Sequence, residues 1–395
     1  MRLLAACLVL GSALSAQEKL EPFPRIDPYT KNAREKFEPA GYVSLGPFRF
    51  GDDHTTAQVE ATLVGVPLIW AETAHFKLGS GLPECEISAD KAEKERLKGE
   101  LEVLATRLPD VKVKVKKLDP WLRLHLFALR LETLYADFQR SCGLQDSDFP
   151  QPGEDAGDGS MGQGPYLGMG AKFTVLVFAS KAHLRRYSAA YLRGPLEAPT
   201  PVHFATSDSW LFVTALDLLP RGYESDTALT SHLAASVAGN LARGLRGGRG
   251  VLTFAVRQGL GHWFARRIDP RYPIFEGTDP TRLLGQSQDW SAEVRTRAEH
   301  KIFPATADLL ASEDPDKLEW ADHLVLWSRF DYLFAREDGA AGQFLRRLQE
   351  PLAPDEPRDA AALAARARAA LEAAVGVPLA AFDEAWSEWV AKTYR

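Results

Sequence analysis

Thr230-Ser231-His232-Leu233-Ala234-Ala235-Ser236 and, further on, Leu252-Thr253-Phe254-Ala255-Val256-Arg257-Gln258-Gly259-Leu260-Gly261-His262-Trp263-Phe264 carry the reading of this chain. The first stretch opens an apolar helix with one histidine near its start. The second reads as another helix, from Leu252 to Arg267, after the Gly247-Gly248 break. Gln258 lies 26 residues after His232. Gln258 and His262 are one helical turn apart, so their side chains share a face. A plain reading needs nothing more: His232 is a hydrogen-bonded helix histidine, and Gln258 and His262 bond each other or the backbone.

In layout the two stretches resemble the gluzincin metallopeptidases, the thermolysin-like superfamily. There a His-Glu-x-x-His helix precedes a second helix of the form Trp-Leu-x-Glu-Gly-Leu-Ala-x-Tyr/Trp-Phe. Two histidines four apart turn both rings toward one zinc ion, and a glutamate on the second helix is the third ligand. The glutamate beside the first histidine takes a proton from zinc-bound water, whose pKa the metal lowers from about 15.7 toward ~7. Residues 258–264 match that motif in all but two positions. The tail adds to the likeness, with Phe382-Asp383-Glu384-Ala385-Trp386 in a terminal helix.

The resemblance implies a degenerate site. His232 stands at the first ligand. Leu233 replaces the general base, and a leucine accepts no proton. Ser236 replaces the second ligand with a neutral hydroxyl. Gln258 keeps the shape of the third ligand without its charge. The expectation is a non-catalytic, metal-free relative whose old cleft binds through His232, Gln258 and His262. The alternative is an active hydrolase or peptidase with an unusual zinc site built on His232, His262 and a carboxylate that the sequence does not identify.

Outward from the site, strands precede helices. One or two strands fit Val64–Phe76, and a helix spans 88–108 with Leu97, Leu101, Leu104 and Leu108 on one face. Val111 to Lys117 alternates strictly and reads as a lysine-faced edge strand. A strong helix starts at Pro120. Residues 146–170 form a Gly-rich connector or surface flap, and Phe173–Phe178 is a buried strand. A helix over 181–192 and strands at Val202–Thr206 and Trp210–Leu216 follow. Asp226 is positioned to cap the His232 helix. Helices then fill 317–336, 341–349, 359–375 and 378–393. The implied class is α+β: a mixed sheet subdomain (61–220) followed by a mainly helical subdomain (221–395), gluzincin-like, after an N-terminal extended segment (17–60).

Composition narrows the partners. The chain has 395 residues, 45% hydrophobic and 25% charged, with a net charge of −6. That balance fits a folded protein and disfavours nucleic acid. Arg2, the apolar run Leu3–Leu10 and small residues up to Ala16 read as a signal peptide cleaved between about Ala13 and Gln17. Leu4-Ala5-Ala6-Cys7 looks locally like a lipobox but leaves no room for an apolar region before it. No later run is long enough to span a bilayer. The expected protein is secreted or periplasmic, with a peptide or an envelope protein as partner. Cys85 and Cys142 can pair in an oxidising compartment or stay as two thiols. No nucleophile elbow, Cys-x-x-Cys or dinucleotide fingerprint is present.

Overall fold

A computed structural model describes residues 23–157, 159–219, 225–248, 250–275, 288–353 and 355–395. The expected signal peptide lies outside the described residues. The elements run α1 (Arg34–Phe37), β1 (Arg49–Phe50), β2 (His54–Thr55), α2 (Thr56–Thr62), β3 (Ile69–Glu72), β4 (Phe76–Ser80), β5 (Cys85–Glu86), α3 (Lys91–Arg107), β6 (Lys117–Leu118), α4 (Pro120–Cys142), β7 (Phe173–Phe178), α5 (Lys181–Tyr191), β8 (Thr200–Phe204) and β9 (Ser209–Ala215). The helices α6 (Asp226–Gly244), α7 (Phe254–Ile268), α8 (Trp290–Glu299), α9 (Thr306–Leu310), α10 (Trp320–Ala335), α11 (Ala340–Leu348), α12 (Ala360–Val375) and α13 (Leu379–Thr393) follow. The class is mixed α and β, with helices dominating the second half. The N-terminal segment is not simply extended, since it carries α1, α2 and the β1–β2 ladder.

Five strands form one mixed sheet in the order β3-β4-β7-β9-β8. The central strands β4, β7 and β9 are parallel, while β3 and β8 are antiparallel edges. All six residues of β7 are buried, as a strand covered on both faces requires. Alternation along the strands divides two cores. Phe76, Leu78, Phe173, Val175, Val177 and Phe212 face the main core with α4 and α6. Trp70, Leu176, Phe178, Leu211 and Val213 face a smaller core with Leu184 and Tyr187 of α5.

Helix α4 shows how local sequence fixes the frame. The Asp119 carboxylate accepts from the amides of Trp121 and Leu122, Pro120 fills the first turn, and Gly143 ends the helix at φ 63°. Leu124, Phe127, Leu131, Leu134 and Phe138 are all buried. The main core continues without a break from Ala40 to Tyr394.

Three local expectations are corrected. Of the alternating stretch only Lys117 lies in a strand, the two-residue β6, which pairs with Cys85–Glu86. Val111, Val113 and Val115 still turn inward and the lysines outward. The alternation therefore records which side meets the core, not a ladder, and the edge nearest the site is β8. Ser225, not Asp226, caps α6, by accepting from the Ala228 amide at 3.1 Å. The Asp226 carboxylate serves Arg130 instead, at 2.8 Å. The 146–170 connector is no flap: Leu167 and Met169 are fully buried, and the Leu167 carbonyl accepts from the Arg246 amide at 2.7 Å. Cys85 and Cys142 are both free thiols, and burial pushes Cys142 up to about 12. Among the described residues, no helix is long and apolar enough to cross a membrane.

Candidate functional site

Helix α6 follows β9 in sequence and packs against it, so it carries His232 into the space over the sheet. The His232 Nε2 and the Thr214 hydroxyl of β9 are 3.4 Å apart, and the Phe212 ring lies 5.6 Å away. Burial without a counter-charge pushes His232 down to about 4, so the imidazole is neutral at pH 7. Leu233 is buried in the main core, while Ser236 is half-buried.

Helix α7 holds a buried polar chain. The Gln258 amide nitrogen donates to the Ile274 carbonyl at 2.8 Å and lies 3.2 Å from His262 Nε2. His262 Nε2 is in turn 3.0 Å from Nδ1 of His323, on α10. The network assigns the protons. An amide nitrogen only donates, so His262 Nε2 accepts and its proton sits on Nδ1. His323 then donates from Nδ1 and keeps a lone pair on Nε2. His262 Nδ1 and His323 Nε2 have no hydrogen-bond partner.

Both rings are fully buried. Phe275 and Trp290 pack within 5.2 Å of the His262 ring, and Phe275 lies 4.8 Å from His323. Burial first, then the neighbouring His323 and Arg266, holds His262 well below its ordinary value. Burial alone pushes His323 down to about 4.

The structure thus joins Gln258 and His262, as their spacing implies, and adds His323. His323 carries no local signal beyond sitting on an apolar helix. His232 takes its hydrogen bond from the sheet, 18 residues back in sequence. Among the described residues, no three His, Cys, Asp or Glu side chains converge as ligands for a metal ion. The arrangement can give and take hydrogen bonds through neutral groups.

Packing accounts for the rest of the Gln258–Phe264 stretch. A Cβ on Gly259 would lie 2.4 Å from Phe330 of α10, and one on Gly261 would lie 3.4 Å from Ala235 of α6. Trp263 donates its indole N–H to Asp331 at 3.0 Å, and Phe264 is buried. Compared with models of known families, with curated proteins and with solved structures, the chain matches none of them.

Proposed function

We propose that this is an exported, non-catalytic binding protein on a gluzincin-like frame, using the region of a former peptidase cleft to hold a peptide or an envelope protein. The observation that carries the reading is the state of the two side chains at ligand positions. His232 is neutral and engaged with Thr214, and Gln258 is engaged with the Ile274 carbonyl. Leu233, at the position of the base, is committed to the core. The layout lends support: parallel strands, an antiparallel edge strand, the His232 helix, then the Gln258 helix packed on it. The N-terminal pattern supports export.

Two measurements test the proposal. The purified mature protein, made without chelators or a histidine tag, should contain well under one zinc per chain. One tightly held zinc would instead favour the active-hydrolase alternative around His232 and His262. Installing Leu233→Glu, Ser236→His and Gln258→Glu together should create tight zinc binding, because it restores two imidazoles and a carboxylate in the required spacing. A folded triple variant that gains no zinc would remove the gluzincin-like assignment.

A further inference from the structure

At the C-terminal end of α7 a pocket of ≈ 530 Å³ opens between Trp263, Arg266, Arg267, Asp289, Trp327 and Asp331. Its volume is in the range of small-molecule sites. The Arg266 guanidinium lies 4.0 Å from the Trp290 ring and 4.9 Å from Trp327. Its two terminal nitrogens donate to the backbone carbonyls of Pro270 and Gln288, and its buried Nε has no partner. Arg267 lies over Trp263 at 4.4 Å. Among the described residues, neither arginine has a carboxylate within ion-pair distance. Arg130 and Arg329, which are more deeply buried, each have one within 3 Å. Burying a guanidinium with no counter-charge costs free energy that an arriving anion recovers. Burial lowers Arg266 only to about 10, so it is still a cation at pH 7.

We infer that this pocket binds a small organic monoanion, its carboxylate between Arg266 and Arg267 and its carbon skeleton against Trp263 and Trp327. The other charges in the lining set the choice of anion. Asp331 accepts from Trp263 and from the Tyr394 hydroxyl, and Asp289 caps α8 by accepting from the Ala292 amide. Two fixed carboxylates around the pocket repel a dianion more than a monoanion. The space also exceeds what an inorganic ion fills.

The test is fluorine NMR of 4-fluorobenzoate with the full mature protein, beside 4-fluorobenzamide of nearly the same shape and inorganic phosphate as a competitor. Fluorobenzoate should bind, and the amide should bind at least about tenfold more weakly, because it lacks the charge that strengthens hydrogen bonds to guanidinium. Arg267→Gln, at an exposed position, should weaken the benzoate several-fold, and Arg266→Met should abolish it. Arg266→Met can unfold the region, so the acid-to-amide ratio on the unaltered protein decides. Equal binding of acid and amide, no binding of either, or displacement by phosphate at lower concentration than benzoate each overturns the inference.

Discussion

Two regions of this protein bury polar groups in opposite ways. Around α4 a charge meets a charge: Arg130 lies 2.6 Å from Glu100 and 2.8 Å from Asp226. In the same region the buried Asp27 lies 3.1 Å from His125, which reaches the Tyr42 hydroxyl at 2.7 Å. Around α7 and α10 the facing histidines are neutral and Arg266 has no ion-pair partner among the described residues, although Arg329 of α10 is paired with Asp383 at 2.9 Å. His262 and His323 share one hydrogen bond and leave two ring nitrogens unmatched, and Arg266 rests on indole faces. Paired charges hold α3, α4 and α6 in one arrangement.

The largest expected effect attacks the paired region. Asp226→Ala strands the buried Arg123, whose nearest carboxylate it is at 3.9 Å, and leaves Arg130 with Glu100 alone. Its unfolding free energy should fall by about 3–5 kcal/mol in urea titrations. A loss as small as that of a surface substitution would erase the contrast.

Acid separates the buried histidines by sign. His232 and His323 have folded values near 4, below the unfolded value of about 6.5. The unfolded chain therefore binds protons first, and stability drops as pH falls from about 6.5 toward 4. Each histidine contributes about 1.4 kcal/mol per pH unit inside that window. Urea titrations at pH 7 and pH 5 should differ by about 2 kcal/mol or more, and equal midpoints would contradict the assignment of neutral buried rings.

His323→Phe sharpens the point. At pH 7 it removes the donor to His262 and should cost about 1–3 kcal/mol. At pH 5 the cost should shrink, because one acid-sensitive ring is gone. A cost that grows with acid would mean that His323 is charged in the folded protein.

The smallest effect has the opposite sign. His75 is stacked on Tyr135 and lies 2.7 Å from Glu132. Burial lowers it, but Glu132 and then Asp146 raise it further, so its folded value is above the ordinary one. Its contribution is complete below about pH 6.5 and disappears as pH rises through the folded value. His75→Gln should therefore cost about 1 kcal/mol or less, more at pH 5 than at pH 8.

Much of the frame was legible because it is written locally. The three-four spacing in α4 and the apolar run of β7 announce their elements without help. The failure at Val111–Lys117 has a physical cause: alternation reports burial, and a strand also needs a neighbour to bond. In the site, Gln258 and His262 could be paired on sequence alone, since one helical turn brings them together. Their link to His323 could not, because it joins residues 61 positions apart across two helices. The Thr214–His232 contact is hidden for the same reason.

Gly259 and Gly261 have a wider meaning. The first lies against a phenylalanine of α10 and the second against an alanine of α6, so the room available to a side chain is set by neighbouring helices. A variant that keeps these three helices together must keep Gly259 free of a side chain, whereas Gly261 has room for a methyl group in ordinary contact with Ala235. The spelling of such a stretch is then set in part by how helices pack, independently of any reaction.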